Sequence, residues 1–536
     1  MSAAPTEGVL ARPLHLAMFY FMAGALFALS QGLGQGFVSV NTQQIAGDLG
    51  ITQTDAAWLQ AAYMFPRASV PLLLIKIRTQ FGLRRFAEVG IIAYVLVSFA
   101  SVWIDDLRSA ITVQFLSGIA SAPLSSLAFL YFLEPLSRPW KLRIGLPLAL
   151  VFLMNGPTLA RVVSPLLIGD GGLEGVHLTA LGMALASLAL VYTLKLTPVP
   201  HQKVIRPLDL VSFALIAFAF GGLTVAFIQG PIRWWTDMDW IGWLLAGAFL
   251  SLAVAVVIEL HRKEPLLDIH WLATPAMVHL TIWLLLFRLL LSEQSTGAPR
   301  MFQVMGIGQD QMVGLFGIIC IANLLGALAC LGWMRPGREA QFHCVALVLI
   351  AAGAWMDSQS SMDTRPEQMI VSQALIGFAG MLFMPPAMMQ GLIAALTKGP
   401  NYILSFVIVF LATQSLGGVV GSGFFLSFIN HQQAAHLQVL REQITATSPA
   451  TMTGIANQMA LLAPQIADTT LRRAEALALI AQDAANQAYV MAYNDAYRLT
   501  FVVALVGLAY LMLHVLRDLL VSRRLMKQAP SPEARK

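Results

Sequence analysis

Apolar runs of about 18 residues or more recur along the whole chain, each long enough to cross a hydrocarbon core about 30 Å thick. Inside hydrocarbon every backbone N–H and C=O must find its partner within the protein, so such runs span as helices or as the strands of a closed barrel. The runs show no repeated alternation of apolar and polar residues, which excludes the barrel. Charged residues make up 11% of the 536, where a soluble chain carries roughly a quarter. With 57% hydrophobic residues and a mean hydropathy of +0.71, the chain reads as an all-α integral membrane protein.

Fourteen spans are expected, at 14–41, 56–76, 85–104, 109–133, 142–168, 176–196, 207–229, 238–261, 274–292, 310–332, 342–358, 367–396, 402–429 and 498–521. One alternating set of loops carries Lys76, Arg78, Arg84, Arg85, Arg138, Lys141, Arg143, Lys203, Arg206, Arg262, Lys263, Arg335, Arg338 and Lys398, and the same side receives both termini. The opposite loops carry Asp48, Asp55, Asp105, Asp106, Asp170, Glu174, Asp237 and Asp239. The basic side is therefore expected in the cytoplasm, and an even number of spans follows. The net charge of +5 sits in these short loops, so it points to membrane orientation and not to nucleic acid. The first apolar run is too long, and the residues before it too polar, for a cleaved leader, so it is expected to remain as a span. Trp234, Trp235, Trp240 and Trp243 are expected to anchor one interface. Cys320, Cys330 and Cys344 lie in spans without metal-ligand spacing and read as packing residues. No metal, cofactor or enzyme active site is expected, and the absence of a phosphate-binding Walker loop in the sequence argues against ATP as the energy source.

One connection departs from the pattern. Residues 430–497 are far longer than the usual helix–helix loop. Leu437, Leu440 and Ile444, and later Leu477 and Ile480, recur at helical spacing, with Ser448-Pro449 and Pro464 as breaks. Two or three amphipathic helices outside the membrane are expected there, either as a cap on the protein's own outer mouth or as a docking surface.

Four stretches carry a family resemblance: Ile45-Ala46-Gly47-Asp48-Leu49-Gly50 with Trp58 and Tyr63-Met64; Glu264-Pro265-Leu266-Leu267-Asp268; Gln414-Ser415-Leu416-Gly417-Gly418-Val419-Val420-Gly421; and Asn486-Gln487-Ala488 through Tyr493-Asn494-Asp495. Together with the span count, the chain resembles the fourteen-helix drug:proton antiporters of the major facilitator superfamily, the EmrB-type inner-membrane pumps. The resemblance implies two six-helix bundles, 1–196 and 271–536, with two linker spans in 197–270. It further implies efflux of amphiphilic solutes across the inner membrane, and a periplasmic adaptor with an outer-membrane channel docking through 430–497. Such bundles rock about a site near the midplane. Gly32 with Gly36, Gly156 with Ala160, and Gly417 with Gly421 are small-xxx-small pairs suited to close, sliding helix contacts. Gly156, Pro157, Pro165, Gly417, Gly418 and Gly421 are the expected packing residues.

The departures from the family pattern bear on mechanism. The family's cytoplasmic loop reads Gly-x-x-x-Asp-Arg-x-Gly-Arg; aligned on Gly82, this chain has Ile75, Thr79, Gln80 and Leu83 at its other fixed positions, followed by Arg84 and Arg85. The gating charge pair is thus absent or rebuilt from other residues. The carboxylate of the first span aligns with Gly34, between Gln31 and Gln35; the arginines of the fourth and thirteenth spans align with Gln114 and Gln414. Amides hydrogen-bond across helices but do not carry a proton on and off near neutral pH.

Charges persist elsewhere in the spans, at Arg67, Arg161 and Arg288, and an intramembrane guanidinium faces a cavity or a partner. With Asn155 and the amides above, these are the candidate cavity residues. Glu293 is the remaining candidate proton carrier, with Arg288 five residues away as its expected neighbour. Met381, Met384 and Met388 beside Pro385-Pro386 read as core, or as a pliable pocket wall. Three functions fit: a secondary-active exporter, a facilitated-diffusion or uptake carrier, and a scaffold that binds partners without transport. Topology is the first point to check: reporter fusions at Lys203 and Ala450 are expected in opposite compartments, and a shared compartment would overturn the orientation.

Overall fold

The computed structural model describes residues 8–137, 140–169, 172–198, 202–335, 337–445 and 448–528. Arg138 and Asp170, both part of the loop-charge reading, lie outside them. Among the described residues the chain is all helix apart from two isolated bridges, and thirteen helices are long and apolar enough to cross a membrane. They are α1 (Leu14–Val40), α3 (Leu83–Trp103), α4 (Leu107–Leu133), α5 (Lys141–Leu167), α6 (Glu174–Thr193), α7 (Pro207–Arg233), α8 (Asp239–Leu260), α9 (Pro275–Val304), α10 (Asp310–Trp333), α11 (Glu339–Asp357), α12 (Pro366–Lys398), α13 (Pro400–Gln443) and α14 (Thr469–Gln528). The fourteenth expected span, at 56–76, is two shorter helices, Gln53–Arg67 and Val70–Phe81, here together α2. Pro66 and Pro71 flank the break, where two missing N–H donors interrupt the ladder. Elsewhere the helix starts follow local chemistry. The Ser109 N–H donates to Asp106 Oδ1 (2.8 Å) at the head of α4, and the Ser109 hydrogen bonds hold the Asp106 carboxyl below its ordinary value.

The first six crossings pack among themselves: α1 against α4 and α5, α2 against α4, and α3 against α4 and α6. The last six do likewise, with α12 between α10 and α11, α13 against α9, and α14 against α11 and α13. The two groups meet directly where α5 lies on α10. Inserted α7 touches both, through α2 on one side and α13 on the other, and α8 packs on α7. Large apolar side chains such as Trp243, Leu250 and Phe249 stand outward, as lipid-facing residues do. Met381, Met384 and Met388 are all buried in apolar clusters, and Met381 packs with Val151 of α5 across the seam.

Two expectations need correction. The long connection is not a row of separate helices: α13 runs on to Gln443, α14 begins at Thr469, and only the helix Pro449–Leu462 stands alone, packed on α14. The extra turns of α13 rise about 20 Å past residue 429 and are tied to α14 by a 2.7 Å contact between His436 and Asp495. Trp235 is also no outward anchor. Its indole N–H donates to Ser427 Oγ of α13 (2.8 Å), and its ring meets Phe227 edge-on.

A close glycine-lined crossing joins α1 to α5. Gly32 and Gly156 face each other so closely that a Cβ on Gly32 would lie 2.5 Å from Gly156 Cα, while Gly36 packs on Ala160 and Pro157. The two small-residue pairs read in the sequence are thus the two sides of one contact. Gly156→Leu is expected to lower the thermal unfolding midpoint of the purified protein, at a cost of ~1–3 kcal/mol for overpacking. Gly182→Ala, at a position with nothing within 4 Å of the added carbon, should leave it unchanged.

Candidate functional site

The polar residues of the seam between the bundles form three groups. The first lies in the N-terminal bundle. Arg67 Nη2 of α2 donates to Ser125 Oγ of α4 (2.7 Å), and Ser125 donates to Gln31 Oε1 of α1 (3.1 Å). The Tyr63 hydroxyl reaches Ser121 Oγ at 3.0 Å. The Arg67 head therefore donates to a neutral hydroxyl, with no acid paired to it among the described residues. Above this chain a cleft of about 80 Å³ is bounded by Gly34, Asn41, Tyr94, Gln114 and His177, so the expected carboxylate and arginine positions share a wall. Gln35 is half-buried on α1.

The second group spans the seam. Asn323 of α10 donates to Asn155 Oδ1 of α5 (2.6 Å), and Asn155 Nδ2 donates to the Cys320 carbonyl (3.3 Å). Two turns further along α5, Arg161 reaches the Ser295 carbonyl of α9 (3.3 Å) and lies 5.0 Å over the Phe316 ring of α10. Pro157 and Pro165 lie one turn to either side of Arg161 within the same helix.

The third group is centred on Glu293. The sequence reading places Glu293 near the outer end of the ninth span; α9 continues to Val304, and Glu293 opens a π-turn, Glu293–Gly297, in mid-helix. A π-turn inserts one residue into the helix and redirects the side chains around it, and such turns gather at functional sites. Each residue of this one faces a different neighbour. Gln294 Nε2 donates to the Gln373 carbonyl of α12 (2.7 Å), Ser295 offers its carbonyl to Arg161, and Thr296 Oγ1 donates to Ser422 Oγ of α13 (2.9 Å). Gly297 lies against Phe425 and Tyr497.

Glu293 itself is fully buried, and its carboxyl meets that of Asp357 at the end of α11 within hydrogen-bonding reach. The expected pairing with Arg288 is not formed. Arg288 turns to α13, where its Nη2 would lie 2.5 Å from a Cβ placed on Gly418, and it also packs on Gly417. Its Nε and both amide atoms of the buried Gln414 lack hydrogen-bond partners, so the cation rests in a slot cut by the glycine run. Gly421 meanwhile lets α13 close on Leu289 and Ser292.

Asp357 is the functional candidate that sequence reading missed. Its signal is the acid closing the apolar run Ala354-Trp355-Met356-Asp357, a position that reads as a helix end until the fold buries it.

At the end of the molecule opposite the 430–497 protrusion, a buried ion cluster was also missed. Lys76 of α2 pairs with Asp209 of α7 (2.9 Å); Arg262 pairs with Asp209 (2.6 Å) and with Glu259 of α8 (2.7 Å). Glu259 further accepts from Ser212 Oγ (2.5 Å) and from the Leu266 and Leu267 amides, so the Glu264–Asp268 stretch wraps around that acid. Gln80 Oε1 accepts from the Val204 and Ile205 amides. The loop around Gln80 is thus bound to the segment that leads into the inserted helices. Gly82 takes the positive φ of the turn (84°), Arg84 pairs with Glu88 on its own helix (2.8 Å), and Arg85 is exposed.

Asp209→Ala leaves Lys76 without a partner and is expected to destabilise the purified protein by ~3–5 kcal/mol. Asp209→Leu combined with Lys76→Met should recover most of that loss in the same melting assay, because Arg262 keeps Glu259.

No family model matches the chain. Over 236 residues it is 25% identical to the Multidrug resistance protein Stp of two strains of Mycobacterium tuberculosis, CDC 1551 / Oshkosh and ATCC 25618 / H37Rv; that match takes in 43% of this chain, which spans 43% of the length of those relatives. The structure superposes on the human organic anion transporter MFSD10 (TETRAN) with a TM-score of 0.55 at 12% identity, over 92% of this chain and all of that one. It superposes on the proton:xylose symporter XylE with a TM-score of 0.52 at 14% identity, over 79% of this chain and 91% of that one. The chain has the fold of the major facilitator superfamily.

Proposed function

We propose that this protein is a secondary-active transporter that exports amphiphilic or organic solutes across the inner membrane at the expense of the proton gradient. In this reading the Lys76 end and both termini are cytoplasmic, 1–196 and 271–536 rock about α7 and α8, and the solute binds at the seam near Arg161 and Asn155. The observation that carries it is Glu293: a fully buried carboxyl with no basic partner among the described residues, held in a π-turn that touches the opposite bundle through Arg161. A titratable group inside a spanning helix is costly and marks an ion or proton path, and here it sits where relative motion of the bundles reaches it. The partial likeness to a multidrug resistance protein supports the solute class. The protrusion built from 430–497 is the surface on which a periplasmic adaptor and outer-membrane channel would dock. A carrier without proton coupling is the second reading, favoured by Gly34, Gln114 and Gln414 standing where the family has charges.

Everted membrane vesicles with ethidium as a lipophilic-cation probe separate the readings. The parent protein is expected to accumulate ethidium only under an imposed pH gradient. Glu293→Gln should abolish that accumulation while sparing exchange down the ethidium gradient, and Arg161→Ala should abolish both at normal membrane abundance. Gradient-independent transport by the parent would establish the second reading.

A further inference from the structure

Building on the exporter reading, we infer that the coupling proton is held between Glu293 and Asp357 as one shared hydrogen bond, and that the Arg161–Ser295 contact ties this pair to the motion of the bundles. The assignment of roles follows from the donors. Asp357 accepts from Ser372 Oγ and, at 2.7 Å, from Gln373 Nε2, so two donors from α12 already point at its oxygens. No other donor among the described residues reaches either oxygen of Glu293. Two carboxylates facing each other carry no hydrogen between them, and two buried negative charges in contact cannot both persist without a cation. One proton resolves this: the Glu293 hydroxyl donates to Asp357, which then carries the single negative charge under its two α12 donors.

Among the described residues no cation pairs with either acid. From α14 Tyr497 faces both acids and Tyr493 stands behind it; Arg300 of α9 approaches Tyr493 and Arg161, while Arg288 points to α13. No lysine, arginine or histidine among the described residues forms an ion pair with either acid. Gln373 Oε1 is also buried and unpartnered beside the pair, so the site holds oxygen acceptors in excess of donors.

The link to motion is local. Glu293 and Ser295 are two residues apart in one π-turn, with Glu293 facing α11 and the Ser295 carbonyl facing Arg161 of α5. When the bundles separate at this seam the Arg161 bond breaks, the turn loses its hold on α5, and Glu293 moves relative to Asp357. The proton then leaves Glu293 for water on one side, and a proton from the other side restores the pair; charge and atoms balance over the cycle.

The test uses the full chain reconstituted in lipid. Infrared difference spectra between acid and alkaline buffer should show the carbonyl band of a protonated carboxylic acid. Glu293→Gln should remove it, and Asp357→Asn should shift or remove the same band, as coupled groups require. Gln373→Met, which takes one donor from Asp357 and leaves both acids, should shift the band without loss. A Glu293 band unmoved by both Asp357→Asn and Gln373→Met overturns the shared proton, and so does loss of the band on adding sodium chloride at constant pH, which would mark a sodium site. Ethidium transport separates this inference from the reading beneath it. If the bands are coupled but the parent protein ignores the pH gradient, the exporter reading fails and the pair stands. If the parent is driven by the gradient and the bands are independent, the inference fails and the reading stands. Where both hold, Asp357→Asn should lose gradient-driven accumulation as Glu293→Gln does.

Discussion

A helix surrounded by lipid gains nothing by hiding leucine from hydrocarbon, so the association of helices rests on close backbone approach and on the few polar groups that must find partners. In this protein the approach is concentrated at small residues. Gly32 meets Gly156 where α1 crosses α5, and the run Gly417–Gly421 lets α13 close on α9. Much of the candidate site is arranged around those two contacts. α5 carries Asn155 and Arg161 to the seam, and α9 carries Arg288 and Glu293. Widening either crossing by one side chain would displace the polar groups those helices hold.

The polar groups themselves follow one rule: each charge inside the spans is met by what the neighbouring helix has available. Arg67 is answered by a serine that itself donates to an amide. Arg161 takes a backbone carbonyl exposed by a π-turn and an aromatic face. Lys76, Asp209, Arg262 and Glu259 answer one another in a buried cluster that fastens the inserted helices to the first bundle. That cluster stands beside the Gly82 loop, so this loop is bound to the inserted helices. The exceptions are Arg288, whose Nε has no partner, and Glu293 and Asp357, which form no ion pair with a cation among the described residues.

Under the proposed coupling, a titratable group on α9 would act through a different contact from one on α1. A carboxyl at Gly34 would sit within the first bundle, beside Tyr94 and Gln114. Glu293 sits in the second bundle, in a turn bonded to the first through Ser295, so separation at the seam would act on its backbone directly. The π-turn makes this feasible: it frees the Ser295 carbonyl for Arg161 while the same five residues reach α12, α13 and α14.

Much of the architecture was legible in the sequence, because lipid leaves the backbone one local solution. A run of apolar residues long enough to span must be helical, and its length and composition are visible without any neighbour. The small-residue pairs were legible for the same reason, since a missing side chain is a property of the residue. Two features could be decided only by the tertiary structure. The run of α9 past Glu293 depends on neighbours that bury its polar turn. The pairing of Glu293 depends on Asp357, which lies 64 residues on, at the end of another helix. Sequence spacing favoured Arg288, five residues away. Yet five residues on a helix of 3.6 per turn place two side chains on diverging faces, and the glycine slot on α13 took the guanidinium. Local rules determine which segments form helices; which faces of those helices meet is settled by packing between residues far apart in the chain.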